Sequence, residues 1–380
     1  MEEGIIVIYL DYCATTPVDK RVLHTFNKVC IDYPGNSNSL HKLGTEAHEL
    51  EEYSTDKIKE MLRLNNKDII YTSGASEANN QAIKGICFKY KNRGKHIITT
   101  YLEHSSVIST MNYMSDLGYV VDYVKLDDDG RVEIEHLKKL LSNDTILVSV
   151  CMVDSELGIR QPIEEISKIL KDYPKCFFHV DCTQALGKID IDFNLMDLAS
   201  LSMHKIYGMK GVGMLIKNSS INILPLIHGG KSSTIYRSGT PALPLIVSSM
   251  KAIEIAVEDI DSKYEYVDKL KDKIISKISE YDDIDINSTS YSISYVINIS
   301  LKNIKPETFI HAMDEYDIYL STKSACSDAS AMSDAVYAVV KDRNRATKSI
   351  RISLSYRTTE EEIEKFLVLF DEIIKKYKFV

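Results

Sequence analysis

A short stretch in the middle of the chain, Phe177-Phe178-His179-Val180-Asp181-Cys182-Thr183-Gln184, gives the first indication of the fold. Its mostly apolar first half predicts a buried strand, and Asp181 stands at the carboxyl end of that strand. Open α/β sheets bind their ligands at this end of the strands. Asp181 is therefore a candidate binding residue, although a helix N-cap accounts for an isolated aspartate here equally well.

Short apolar runs of the same kind recur on both sides of this stretch, and segments with helical periodicity separate them. Strands are predicted at 5–10, 69–72, 96–100, 119–125, 145–152, 176–180, 198–202 and 212–216. Helices are predicted at about 16–31, 43–64, 75–90, 105–117, 133–142 and 163–172. The first helix would have Thr16 as its N-cap and Pro17 at its first position. Alternating strands and helices favour a mostly parallel sheet covered by helices.

The pattern changes near Pro241. The segments predicted beyond it are a long helix near 242–262 with helical sequence to about 280, a strand at 293–300, a helix near 306–316, and a closing strand and helix at 349–355 and 359–377. We therefore predict three parts. These are an N-terminal arm (1–15) that packs against the small domain, a large domain (16–250), and a smaller α+β domain (251–380).

Composition restricts the class of protein. Of the 380 residues, 44% are hydrophobic and 27% are charged, which indicates a globular chain. The net charge of −9 disfavours direct binding to nucleic acid. No apolar run reaches the roughly 18 to 20 residues of a membrane-spanning helix, and the acidic start is unlike a signal peptide, so we expect a cytoplasmic protein. The seven cysteines form neither a CxxC pair nor a zinc-like cluster, which predicts no disulfide framework and no metal site.

A second informative stretch, Ser202-Met203-His204-Lys205-Ile206-Tyr207-Gly208, follows a predicted strand. A lone lysine in such a turn is usually a surface residue. A lysine and Asp181 at neighbouring strand ends, however, suit pyridoxal phosphate, because the amine can form a Schiff base and the carboxylate can keep the pyridine nitrogen protonated. Where a strand meets a helix, Ser73-Gly74-Ala75-Ser76 offers backbone N–H groups for the phosphate.

The combined motifs resemble those of the NifS/IscS-type cysteine desulfurases, which belong to the class V aminotransferase superfamily. The stretches that carry the resemblance are Tyr9-Leu10-Asp11-Tyr12, 14–17, Gly35-Asn36, His41, 73–77, Leu102-Glu103-His104, 180–184, His204-Lys205, 237–240, 324–327 and 351–354. They span nearly the whole chain. The resemblance implies a fold-type I homodimer that depends on pyridoxal 5′-phosphate, with a mostly parallel seven-stranded sheet in the large domain and a smaller α+β C-terminal domain.

The resemblance also assigns roles to individual residues. Lys205 would carry the cofactor, Asp181 would pair with its pyridine nitrogen, and His104 would stack on the ring and help to move protons. Arg351 would bind the carboxylate of the substrate, L-cysteine. A core histidine and a surface ion pair are the ordinary alternatives for His104 and Arg351. The other cofactor-binding residues would be Ala75, Ser76, Asp154, Gln184, Ser202, His204 and Thr240, the last of which would reach the cofactor of the partner subunit.

Cys326 lies in a polar loop at about 321–334, within Ser321-Thr322-Lys323-Ser324-Ala325-Cys326-Ser327. A thiol in such surroundings can be exposed and partly ionised, as a nucleophile requires. In the family, this cysteine attacks the substrate sulfur, so that L-cysteine becomes L-alanine and a persulfide remains on the enzyme. The persulfide then passes to an acceptor protein, either an iron–sulfur scaffold or a tRNA-thiolation enzyme. An exposed cysteine without function is the ordinary alternative.

One position departs from the family pattern, which usually has Asn-Asn-Glu where this chain has Asp154-Ser155-Glu156. The first asparagine donates a hydrogen bond to the phenolic oxygen of the cofactor, whereas an ionised Asp154 can only accept. Either Asp154 is protonated, or the phenol keeps its proton, or the side chain turns away; our hypothesis is a shift toward the protonated phenol. The alternative functions are a divergent class V aminotransferase, a selenocysteine lyase or, because of Asp154, a paralogue of low activity or a scaffold without turnover.

Overall fold

The computed structural model describes residues 7–230, 232–322 and 332–377. Its strands are β1 (Ile8–Tyr9), β2 (Lys67–Thr72), β3 (His96–Thr99), β4 (Val120–Tyr123), β5 (Thr145–Cys151), β6 (Phe177–Asp181), β7 (Leu198–Ser202), β8 (Gly213–Asn218), β9 (Ile284–Ile286), β10 (Val296–Leu301), β11 (Ile318–Tyr319) and β12 (Ser349–Ser353). Its helices are α1 (Lys20–Asp32), α2 (Lys42–Met61), α3 (Ala75–Lys89), α4 (Ser105–Asp116), α5 (Ile134–Leu140), α6 (Ile163–Leu170), α7 (Leu243–Val257), α8 (Ile260–Ile278), α9 (Pro306–Asp314), α10 (Asp334–Val340), α11 (Arg343–Thr347) and α12 (Glu360–Tyr377).

The largest sheet has seven strands in the order β2-β8-β7-β6-β5-β3-β4. Only β8 runs antiparallel to its neighbours, which confirms the predicted mostly parallel sheet. Successive side chains of a strand point to opposite faces of the sheet, so the strands contribute residues to two apolar clusters, one on each face. Phe178 of β6, for example, packs in a cluster with α6 and α7, and Phe177 packs in one with α3 and α4.

Strand direction brings four chain segments to one edge of this sheet. Strands β5, β6 and β7 are parallel and end at Cys151, Asp181 and Ser202. Strand β8 is antiparallel to both β2 and β7, so β2 runs in the same direction as β7. The turn after β2 therefore lies at the same edge as the ends of the central strands, which is the edge where open α/β sheets bind ligands.

Two smaller sheets join distant parts of the sequence. Strands β9, β10 and β12 form an antiparallel sheet, and β1 pairs in parallel with β11. The backbone N–H of Cys13 also donates to Ser353 Oγ (3.0 Å). The start of the chain thus lies against its C-terminal part, while the boundaries of the arm and the two domains remain a prediction.

The predicted start of the first helix is wrong. Helix α1 begins at Lys20, and Asp19 is its N-cap because its carboxylate accepts from the backbone N–H of Arg21 (2.8 Å). Thr16 instead binds a distant turn, because its hydroxyl donates to the carbonyl of His204 (2.9 Å) and accepts from the N–H of Tyr207 (2.6 Å). Thr16 therefore anchors the turn that carries Lys205.

The long helix predicted near 242–262 is interrupted. Helix α7 ends at Val257 and α8 begins at Ile260, with Asp259 in the left-handed region at φ 50°. Lys263 stabilises the break, because its ammonium donates to the carbonyl of Ile255 (2.7 Å) and to that of Glu258. Within the three described ranges, no helix combines the length and the apolar character needed to cross a membrane.

Candidate active site

A cavity of about 550 Å³ lies at the carboxyl ends of the central strands, a size that suits a small ligand. Most of the predicted site residues line it, namely Ala75, Ser76, His104, Asp154, Asp181, Gln184, Ser202, His204, Lys205 and Arg351. Thr240 lines a neighbouring cavity of about 100 Å³, which shares Ser73 and Gly211 with the first. Cys326 lies outside the described residues.

Lys205 is held in the turn that follows β7. Its ammonium donates to the carbonyl oxygens of Cys13 (2.6 Å) and Ala14 (2.7 Å). Burial, aided by the cations of Lys188 and Arg351, lowers the pKa of Lys205 from its usual 10.5 to about 8. The uncharged fraction of the Lys205 amine near neutral pH is therefore much larger than that of an exposed lysine. A nucleophile or a base requires the uncharged form.

The lowered pKa allows a test of the predicted attachment of pyridoxal phosphate to Lys205 in the apoprotein. We expect the rate of covalent capture to rise about tenfold per pH unit and to level off near pH 8, because only the uncharged amine attacks an aldehyde. Stopped-flow absorbance across pH 6 to 11 measures it. Lys188→Met should move the midpoint upward, since it removes a nearby cation. A midpoint near 10.5 in the unsubstituted protein would contradict the prediction.

Asp181 and Gln184 are oriented by neighbours that the sequence did not single out. The Asp181 carboxylate accepts from Asn79 Nδ2 (2.8 Å) and from the N–H of Thr183 (3.0 Å). Gln184 donates from Nε2 to the carbonyl of Cys13 (3.0 Å), and its Oε1 accepts from Lys188 Nζ (2.6 Å). An ammonium can only donate, so buried Lys188 fixes which end of the Gln184 amide faces it. The only feature of the sequence that indicated this contact was the spacing of four residues between Gln184 and Lys188.

The turn after β2 forms an anion cradle. Gly74 is the N-cap of α3 with φ 157°, a conformation that favours glycine, and no side chain caps the helix there. The first N–H groups of α3 are therefore available to an anion at the positive end of the helix dipole. A Cβ built on Gly213 would lie 2.6 Å from the Cα of Gly74. The first residue of β8 must therefore be glycine for the strand to lie this close to the turn.

His204 adds a neutral ring to this cradle. Its Nδ1 lies 3.0 Å from Thr15 Oγ1. Burial and the cations of Lys205 and Lys210 lower the pKa of His204 to about 4. An amine, a buried carboxylate and an uncapped helix N-terminus thus meet in one cavity. This set of groups fits pyridoxal phosphate, which needs one partner each for its aldehyde, its ring nitrogen and its phosphate.

Asp154 is turned toward its own loop. One carboxylate oxygen accepts from the N–H groups of Glu156 and Leu157 (both 2.8 Å), and the other accepts from that of Ile159 (2.7 Å). This geometry favours the third outcome considered above, a side chain that turns away, over our protonated-phenol hypothesis, and binding of the cofactor by Asp154 stays a prediction. An asparagine could not accept all three bonds, because its Nδ2 only donates.

Burial raises the pKa of Asp154 to about 6, although the three N–H donors oppose the shift. A carboxyl whose pKa is higher in the folded state contributes stability that is fully present below pH 3.8 and is lost as the pH rises through 6. Between pH 5 and 7, the wild type should therefore lose roughly 1 kcal/mol of unfolding free energy relative to Asp154→Asn. Urea unfolding at both pH values measures it. Parallel changes in the two proteins would contradict it, and Asp172→Asn, at an exposed position, is the control.

Arg351 on β12 is completely buried at the border of the cavity. Its Nη1 donates to the carbonyl of Ser155 (2.7 Å) and its Nη2 donates to Asp11 Oδ1 (2.8 Å). The guanidinium is thus held rigidly from two sides, and each Nη atom keeps a second N–H for another acceptor. Binding of the substrate carboxylate remains a prediction.

Arg351 gives a prediction that separates substrate binding from stability. In Arg351→Lys the charge opposite Asp11 is kept but the planar fork is lost, so KM for L-cysteine should rise about 100-fold with little loss of stability. In Arg351→Leu the partly buried Asp11 loses its partner, and the unfolding free energy should fall by about 3 kcal/mol. Steady-state kinetics and urea unfolding measure both effects. An unchanged KM in Arg351→Lys would exclude the carboxylate role.

His104 is the N-cap of α4 and lies partly buried at the cavity. Its Nδ1 accepts from the N–H of Ser106 (3.1 Å) and lies 2.8 Å from Ser106 Oγ. Burial lowers the pKa of His104, and the cation of Lys205 lowers it further. Ser106 was not predicted as a neighbour of this ring, although a serine two residues after an N-cap histidine is a local signal.

Known proteins resemble this chain over its full length. The class V aminotransferase family matches residues 8–366. A NifS/IcsS protein homolog of Lactobacillus delbrueckii subsp. bulgaricus is 38% identical over 98% of each chain. Cysteine desulfurase IscS of Dictyoglomus turgidum is 35% identical over 98% of this chain and 96% of its own. A solved structure of a NifS-like protein superposes with a TM-score of 0.91 at 36% identity, and the match covers 97% of this chain and 100% of the other.

Proposed function

Because this chain belongs to the class V aminotransferases and, among them, to the cysteine desulfurases of the NifS/IscS type, we propose that it carries pyridoxal phosphate on Lys205 and forms a persulfide on Cys326. Its substrate is L-cysteine, its product is L-alanine, and the persulfide sulfur passes to an acceptor protein. The observation that carries this proposal is the meeting of Lys205, whose pKa is lowered, and the buried Asp181 in one cavity beside Arg351.

Each of the main residues of the cavity has a separate role in the proposed reaction. Pyridoxal phosphate, when bound, supplies an electron sink for the bonds of the substrate Cα. Asp181, held by Asn79 and Thr183, keeps its remaining lone pairs for the ring nitrogen. Lys205 is a base near neutral pH, so its Nζ can take the α-proton and return it. Arg351 binds the carboxylate and thereby orients the Cβ–S bond.

Sulfur transfer needs a nucleophile and a balanced set of bonds. The Cys326 thiolate bonds to the substrate sulfur, and the Cβ–S bond breaks with its electron pair left on carbon. A proton then completes the methyl group of alanine, and the enzyme keeps the sulfur as a persulfide. The small and polar neighbours of Cys326 support this role, because an exposed thiol ionises more easily than a buried one.

We also propose that the chain works as a homodimer in the cytoplasm. Leu40, between α1 and α2, is fully exposed, and Ile31, in the last turn of α1, is 77% exposed. Ile235, in the loop that leads to Thr240, is 68% exposed. Such apolar side chains support burial against a second copy. The acceptor is an iron–sulfur scaffold or a tRNA-thiolation enzyme.

The test is a single turnover followed by mass spectrometry. The purified protein is mixed with one equivalent of L-cysteine without a thiol reductant, and its peptides are then weighed. We expect one added sulfur on the peptide that contains Cys326 and one equivalent of alanine. Transfer of the amino group to a keto acid without added sulfur would instead identify an aminotransferase. Neither product, with cofactor bound, would identify a scaffold without turnover.

A further inference from the structure

The ring of His104 is bound on one side by the start of its own helix. The backbone N–H of Ser106 points at His104 Nδ1 (3.1 Å). A backbone N–H can only donate, so Nδ1 is an acceptor in this bond and carries no proton. The neutral imidazole therefore has its proton on Nε2.

Asn79 determines the direction of the second bond to this ring. Asn79 is completely buried, and its Nδ2 donates both to Asp181 Oδ2 (2.8 Å) and to Ser106 Oγ (2.9 Å). A flipped amide would place its oxygen against the Asp181 carboxylate, so this orientation is the favourable one. The Ser106 hydroxyl accepts from Asn79 and keeps its own hydrogen for His104 Nδ1, 2.8 Å away. Two donors thus converge on Nδ1.

The surroundings also keep the ring uncharged. An imidazolium at the N-terminus of α4 would face the positive end of the helix dipole. Burial and the cation of Lys205 lower the pKa of His104, whereas the carboxylates of Asp181 and Glu156 raise it less strongly. A positively charged ring would, in addition, place an Nδ1–H against the two donors from Ser106.

We propose that Asn79 and Ser106 are positioning residues that hold His104 as the neutral imidazole with its proton on Nε2, so that it presents a hydrogen-bond donor and no lone pair to the cavity. The inference deepens the proposed function, on which it rests, since it changes the role of His104. The only lone pair of this ring lies at Nδ1, where Ser106 occupies it. His104 therefore binds an electron-rich atom of the substrate and does not act as a base, and Lys205 is left as the base.

Nitrogen NMR of the purified protein, labelled with [15N]histidine and without substrate, tests the tautomer. The chain has ten histidines, and the signal that disappears in His104→Gln identifies the ring. We expect His104 to have a protonated Nε2 and an unprotonated Nδ1 throughout pH 6 to 9. In Ser106→Ala one donor to Nδ1 is lost, so the titration of the ring should move upward by about one pH unit. Ser106→Thr keeps the hydroxyl and should titrate like the wild type.

Two results would overturn the proposal: a protonated Nδ1 in the wild type, or identical titration in Ser106→Ala and Ser106→Thr. Kinetics give an independent check, because the glutamine amide places an N–H donor near the position of Nε2 but cannot act as a base. His104→Gln should lower turnover by about tenfold, because the donor to the substrate is kept but displaced, whereas loss of a general base would lower it about 10²- to 10⁴-fold. The spectrum does not depend on persulfide formation, so failure of the proposed function would leave this test intact.

Discussion

Lys205→Ala is expected to lose the visible absorption of covalently bound cofactor and to lower the rate of alanine formation by at least about 10⁴-fold. In the proposed function two roles disappear together, since the same Nζ would attach the cofactor and move the α-proton of the substrate. The side chain is held by the carbonyls of Cys13 and Ala14, so its removal leaves two acceptors in a cavity that water can enter. The fold should therefore persist. Absorbance, alanine assays and thermal unfolding measure the three effects.

Lys210→Ala is the matched control for this variant. Lys210 is exposed and borders the same cavity, so its removal changes the charge equally. It should keep the covalent absorption of the cofactor, because the proposed function attaches the cofactor to Lys205 alone. Covalent absorption that survives in Lys205→Ala would show that another amine carries the cofactor, and our assignment would be wrong.

Cys326→Ser is expected to lower persulfide formation and sulfur transfer by at least about 10³-fold, with the cofactor still attached. A serine hydroxyl is not ionised near neutral pH and does not form a stable bond to sulfur in place of the thiolate. Persulfide-specific labelling and transfer to an acceptor protein measure the loss. Cys30→Ser is the control, because Cys30 is exposed on α1 and should react with labels but not take part in turnover.

The result for Cys326→Ser also separates the alternatives. Full alanine formation in this variant would show that sulfur leaves without Cys326. That result would favour a lyase, which needs no thiol nucleophile. Loss of alanine formation in both cysteine variants would point to unfolding rather than to chemistry, and thermal unfolding would reveal it.

Much of the fold could be predicted because it depends on local patterns. The strands of the seven-stranded sheet are four to seven residues long and contain short apolar runs, and each of them was predicted in its place. One error arose where a side chain has a distant partner, because Thr16 looked like an N-cap but binds the turn around His204. The other error is local, since the continuous helix predicted near 242–262 is broken where Lys263 binds the end of α7, eight positions away.

The candidate site likewise has one part that could be predicted from the sequence and another that only the structure shows. Asp181 and Lys205 stand at strand ends, and short motifs at such ends are visible in a sequence, so the cavity could be placed and its cofactor expected. Only the tertiary structure shows that Arg351 meets Asp11 across 340 positions, that Asn79 links Asp181 to Ser106, and that Asp154 binds its own loop. The physical reason is that an unpaired buried polar group is unfavourable, so each side chain takes the partner that packing brings within hydrogen-bond distance. For Arg351 and Asn79 that choice depends on contacts between residues far apart in the chain, and no local pattern encodes it.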